Sequence, residues 1–181
     1  MGRTKGFARE DVLNDALKVF WKQGFKDTSL QDLERATGVN KSGLYSEFKD
    51  KDELFVETLK QYTLNNGAEA VLTQLPLGRN NLRHFLELGI TCKGPKGCFV
   101  ANSIREYSIL PPKARTIIEK HMSHIKDLVR ANVAAENPRL EAAQVSEVIL
   151  TYNAGQCLAQ NLGAATSSTV DVKKFLGLLL Q

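Results

Sequence analysis

Apolar residues in this chain recur at spacings of three and four rather than two. The five prolines (Pro76, Pro95, the Pro111-Pro112 pair and Pro138) fall where that pattern has already stopped. Such spacing gathers apolar side chains on one face of an α-helix, whereas a half-buried strand alternates. Proline lacks a backbone donor and clashes with the preceding turn, so it marks where helices end. The chain is therefore expected to be all-α. Its 181 residues and 43% hydrophobic content suffice for a packed core, which excludes disorder as the main state. The glycines and prolines show no period, so fibrous architectures are excluded as well.

Local signals set the helix ends. A first helix carries Leu13, Ala16, Leu17 and Phe20 on one face and stops before Gly24. A second starts at Thr28-Ser29, where Gln31 and Asp32 allow two capping-box registers, and ends at Gly38. A third is short, capped by Asn40, with Leu44, Tyr45 and Phe48. The fourth opens on Asp50-x-x-Glu53 and runs to Asn65-Asn66-Gly67. Longer helices are expected over 81–90, 98–108, 112–136, 139–165 and 170–181. The expected organisation is a three-helix domain over residues 1–49, a connecting helix from about 50, and a larger helical domain over 50–181.

The segment 29–48, SLQDLERATGVNKSGLYSEF, has the layout of a helix-turn-helix. Gly38 supplies the left-handed conformation that the tight turn requires. Leu33, Ala36, Val39 and Leu44 would pack the two helices together, leaving Asn40, Lys41, Ser42, Tyr45 and Ser46 outward around a small Gly43. Hydrogen-bonding side chains of moderate length on a short helix suit entry into a DNA major groove. The same pattern also fits a helical hairpin that buries Leu44 and Phe48 and reads nothing.

More than this segment is shared with a known family. The run F20…G24F25…T28S29L30…L33…A36…G38V39…L44Y45…F48…K51…L54, within Phe7–Phe55, resembles the DNA-binding domain of the tetracycline-repressor (TetR) family. The resemblance implies that Thr28 and Ser29 meet a phosphate at a helix N-terminus, where unpaired N–H groups and the helix dipole attract anions. It implies that Lys41 and Ser42 face the groove, and that Tyr45 and Lys51 contact backbone phosphate. After the lysine the family often has glycine and then a small residue. Here the order is Ser42-Gly43, which leaves the base preference undetermined. Arg3 and Lys5, with Arg9, precede the first helix as a basic arm, either along DNA or as a solubilising tail.

In the larger domain, GCFVANSIREY (97–107) resembles a segment of a TetR subgroup in which a cysteine, here Cys98, senses electrophiles or oxidants. A thiol at a helix start, with Lys93 and Lys96 nearby in sequence, favours thiolate. A small packed core residue is the competing reading. Candidate walls of an effector pocket are Phe85, Leu88, Phe99, Asn102, Tyr107, Tyr152 and Gln156. The stretch 148–170 carries no charge, so nearly all its sides must be covered. Val148, Tyr152, Gly155, Ala159 and Leu162, with Phe175 and Leu179 from the last helix, are expected to form a homodimer interface. A central helix of a monomer would read the same way.

Several chemistries are set aside. His121 and His124 lie three apart without further ligands at fixed spacing, so no metal is expected. The loop GITCKGPKG lacks the ending of a phosphate-binding loop, and no nucleophile-base set or cofactor motif appears, so an enzyme is not expected. Three cysteines (Cys92, Cys98, Cys157) without a CxxC, an N-terminus lacking an apolar core and no sufficiently apolar stretch point to a cytoplasmic, nucleoid-associated protein without a membrane partner. The expected function is a homodimeric regulator that binds a palindromic operator in double-stranded DNA. It would be a repressor released by a small molecule, oxidant or electrophile. The alternatives are a sequence-nonspecific architectural DNA binder and a helical small-molecule-binding protein without an operator. The net charge of +4 decides nothing between them. Residues 1–60 hold 11 Lys/Arg and 11 Asp/Glu, so any recognition there rests on placement.

Overall fold

The computed structural model describes residues 7–91, 97–161 and 170–181. Every regular element among them is helical: α1 (Arg9–Gln23), α2 (Leu30–Thr37), α3 (Lys41–Glu47), α4 (Lys51–Asn65), α5 (Ala68–Leu72), α6 (Arg79–Thr91), α7 (Phe99–Ile104), a 3₁₀ turn (Tyr107–Ile109), α8 (Pro112–Ala134), α9 (Ala142–Asn161) and α10 (Val172–Leu179). No helix among the described residues is long and apolar enough to cross a membrane.

The chain forms two compact units. One comprises the chain up to Asn65 together with Asn102–Ile118; the other comprises Asn66–Ala101 and Glu119–Gln181. The sequence alone suggests a boundary near residue 49, with a connecting helix from about 50; in the structure that helix, α4, packs within the first unit. Helix α4 buries Leu54, Phe55 and Leu59, and the Phe55 ring lies 5.1 Å from that of Phe20 on α1, edge to face. It is also 4.9 Å from that of Phe25. Aromatic burial of this kind binds α4 to α1. Residues 102–118 join the same unit through Glu106, which accepts hydrogen bonds from the Phe25 and Lys26 amides.

Two elements differ from the expected helices. The helix anticipated over 98–108 is only six residues long and gives way to the 3₁₀ turn. The stretch after Gly67 forms the additional short helix α5, entered through the left-handed conformation of Gly67 (φ 78°).

The second unit packs α5, α6, α8, α9 and α10 around Leu72, Leu82, Leu86, Val129, Val133, Ile149 and Leu176. Inside it Asn132 is fully buried. Its Oδ1 accepts from the Gly78 amide and the Asn81 side chain, both at 2.9 Å, and its Nδ2 donates to the carbonyls of Leu72 and Leu128. All four bonding positions of the amide are used, as a buried polar group requires.

Candidate nucleic-acid interface

The α2-turn-α3 unit is built from its caps inward. Ser29 is the N-cap of α2: its Oγ accepts from the Asp32 amide at 3.2 Å, and its own amide donates to Asp32 Oδ2 at 3.0 Å. The Ser29 hydroxyl, then its amide, holds the Asp32 carboxyl below the usual carboxylate range. Gly38 ends α2 at φ 67°, and the Thr37 hydroxyl accepts from the Val39 amide at 3.2 Å. Asn40 caps α3 by accepting from the Gly43 amide at 2.9 Å, and the Lys41 amide donates to Glu34 Oε1. Leu33, Val39, Leu44 and Phe48 are buried, so both helices are anchored from below.

What remains outward on α3 is one polar face. Asn40, Lys41, Ser42, Tyr45 and Ser46 are exposed, and Lys41 Nζ lies 5.8 Å from the centre of the Tyr45 ring. Gly43 is not part of that face. A Cβ there would come within 2.6 Å of Val39 Cγ1 and 3.4 Å of Phe7 and Asn40 atoms, so the missing side chain serves packing inside the domain. A larger residue at position 43 would require Val39 to shift.

Two residues expected to meet phosphate have hydrogen-bond partners within the chain. Thr28 is 1% exposed, and its hydroxyl donates to the Gly24 carbonyl at 2.6 Å. Its β-branched side chain packs inward, while Ser29 takes the cap. Lys51 is half-buried, with Nζ donating to the carbonyls of Phe25 (2.9 Å) and Thr28 (3.0 Å) and 4.6 Å from the Phe25 ring centre. In this chain Lys51 serves the α1–α2 turn. Arg3 and Lys5 lie outside the described residues. Arg9, by contrast, sits 4.8 Å over the Phe48 ring and pairs with Glu57 at 3.4 Å.

The effector and interface candidates divide between the two units. Phe85 belongs to the closed core of the second unit, with Leu88, Tyr152, Phe175 and Leu179 packed against it. Tyr152 stacks on Phe175 at 4.1 Å between ring centres, and Gln156 donates to the Tyr152 hydroxyl. Tyr152 and Phe175 thus join α9 to α10 within one chain, as aromatic side chains facing a neighbouring helix will. Asn102 and Tyr107 belong to the first unit, where Arg115 lies 6.0 Å from the Tyr107 ring centre. Cys98 is half-buried just before α7, Phe99 is buried, and Cys92 and Leu162 lie outside the described residues.

On α9, Val148 and Gly155 are exposed and Ala159 is half-exposed. The outward stripe runs Val148, Thr151, Ala154, Gly155, Leu158, without a charge. Among the described residues no cluster of three or more His, Cys, Asp or Glu could hold a metal. His121 and His124 instead face Asn66 and Glu69.

Residues 12–58 match the family model described as bacterial regulatory proteins, tetR family. Over 61 residues the chain is 46% identical to the HTH-type transcriptional repressor ComR of Escherichia coli (strain K12), a stretch that is 34% of this chain and 29% of ComR. The likeness in fold extends much further. The TetR-family regulator SCO4454 of Streptomyces coelicolor superimposes with a TM-score of 0.81 at 20% identity, over 95% of this chain and 93% of that one. Residues 12–58 thus carry the DNA-binding segment of the TetR family, and the chain as a whole has the fold of TetR-family regulators. The TetR-family regulator CifR, solved as a cysteine-substituted form with 26-bp double-stranded operator DNA, matches with a TM-score of 0.71 at 20% identity, over 98% of this chain and 95% of CifR.

Sequence reasoning missed Glu106 and Glu34. Glu106 bonds residues 80 positions away, for which no local pattern exists. Glu34 reaches the Lys41 amide only once the turn at Gly38 has formed.

Proposed function

We propose that this chain is a TetR-family transcriptional regulator that reads a palindromic operator in double-stranded DNA as a homodimer. The observation that carries the reading is the exposed face of α3: Asn40, Lys41, Ser42, Tyr45 and Ser46 stand outward on a seven-residue helix anchored by Leu44 and Phe48. A short helix held at its base and polar at its tip can enter a major groove about 12 Å wide. CifR, of similar fold, has been solved on operator DNA, which supports the same use here. Tyr45 and Ser29 would supply contacts to phosphate, which position the helix, while Lys41 and Ser42 would read base edges.

The uncharged outer stripe of α9 supports the dimer. Val148 and Leu158 are 46% and 49% exposed, and an added Cβ at Gly155 would meet nothing within 4 Å, so a second copy could approach closely. Two-fold symmetry would then place two α3 helices on half-sites about 34–36 Å apart. The regulator acts as a repressor in the cytoplasm, at the nucleoid. A small molecule, or modification of the Cys98 thiol by an oxidant or electrophile, would favour a conformation with another spacing. The loss of affinity equals the effector's differential binding to the two states.

Lys41→Ala tests the reading. Against a duplex selected by the native chain, affinity should fall by about 1–3 kcal/mol, while binding to random-sequence DNA falls much less. Equal losses on both duplexes would make Lys41 a phosphate contact and favour an architectural binder.

A further inference from the structure

The turn between α1 and α2, residues 24–28, is held from two sides by opposite charges. Lys51 Nζ takes the carbonyl oxygens of Phe25 and Thr28. Glu106 takes the adjacent donors: Oε2 accepts from the Phe25 amide at 2.6 Å and Oε1 from the Lys26 amide at 2.9 Å. Gly24 leaves room for that carboxylate, since a Cβ at residue 24 would lie 2.6 Å from Glu106 Oε2. The next residue after this turn is Ser29, the cap of α2, and α2 with Gly38 sets where α3 begins. Two charge-assisted bonds from one carboxylate to consecutive amides fix both position and orientation, more firmly than neutral bonds do.

We propose that Glu106 is a positioning residue for DNA recognition: its carboxylate fixes the α1–α2 turn and, through it, the placement of α2 and α3 against the operator. Glu106 follows α7, the helix that crosses from one unit to the other at Ala101–Asn102. The inference rests on the DNA-binding reading above and assigns it a residue outside the helix-turn-helix.

The sign of the effect separates positioning from simple electrostatics. Removing a negative charge from a DNA-binding domain, if nothing else changed, would tighten binding to DNA. Loss of positioning does the reverse, and only for the cognate sequence. Glu106→Gln presents an amide N–H₂ where an acceptor is needed, so it cannot satisfy both the Phe25 and Lys26 amides.

The native chain first selects duplexes from a random pool. Full-length native protein and Glu106→Gln are then titrated against the selected duplex and a scrambled one, well below the melting temperature of each. The expected result is about a tenfold or greater fall in the ratio of selected to scrambled affinity, with the salt slope on scrambled DNA unchanged. A ratio equal to native, or tighter binding to both duplexes, overturns the proposal. A merely structural role would lower the melting temperature and leave the ratio alone.

If Glu106→Gln does not fold, Glu106→Ala, which admits water to the amides, reads the same ratio. Amide exchange on the native protein provides an independent check. Phe25 and Lys26 amides that exchange as fast as unprotected ones overturn the clamp; protection supports it. If the native chain selects no sequence at all, the DNA-binding reading fails, and the exchange result still stands on its own.

Discussion

Lys51 opens α4 with its Nζ on two carbonyl oxygens of a turn more than 20 residues earlier in the chain, and its charge is half-buried over the Phe25 ring. A charge withdrawn from water must be compensated by hydrogen bonds, and here backbone dipoles do so. Lys51→Met keeps the aliphatic stem and deletes those bonds. It should cost about 1.5–3 kcal/mol of stability, read by chemical denaturation, with no change in the salt dependence of DNA binding. A salt slope lower by about one at unchanged stability would show Lys51 on phosphate instead. The family resemblance marked Lys51 as a phosphate-contacting lysine, yet a resemblance in motif says nothing of which oxygen a flexible side chain reaches in this chain. Thr28 and Ser29 show the same limit. Both begin a capping box on paper, and only the inward packing of Thr28 assigns the cap to Ser29.

Among the elements, the corner between α4 and α5 depends on a proton. Asn66 Oδ1 accepts from the Ala68 amide at 3.0 Å, so its Nδ2 faces His121 Nε2 at 3.3 Å as a donor. His121 must then be neutral at Nε2. Burial first, then the neighbouring His124, lowers its pKa below the usual histidine value, and Glu69 only partly opposes them. A histidine harder to protonate when folded leaves the unfolded chain to bind the proton first. Stability is therefore full above about pH 6.5 and declines as pH falls toward the folded value.

His121→Gln keeps an acceptor for Asn66 and removes the titration, so its melting temperature should fall less than native between about pH 7.5 and 5.5. Equal falls in both proteins would clear His121 of any role. Helices α1 to α4 were legible because glycines and caps are local signals. The shortening of the 98–108 helix and the extra helix α5 were not. The absence of charge along α9 from Val148 onward was visible, but which side of it is covered within its own chain was not. Tyr152 turns to Phe175, while Val148 and Leu158 stay outward.

The molecule as a whole shows why summed charge was uninformative. The first 60 residues are neutral overall, yet several of their acidic groups hold structure: Asp32 completes the capping box of α2, Glu34 takes the Lys41 amide, Glu53 the Lys49 amide, and Glu57 pairs with Arg9 and Lys60. Lys41, Ser42 and Tyr45 are left on an outward face, and α3 carries no carboxylate before Glu47. A neutral domain can thus present a DNA-directed surface, with specificity resting on groove contacts rather than bulk attraction.

Selection of bound duplexes from a random-sequence pool by the native protein tests the central claim most directly. The account predicts enrichment of one motif made of two inverted half-sites, with centres about one helical turn or a multiple apart. A pool that stays unenriched, or a motif without inverted symmetry, would contradict it.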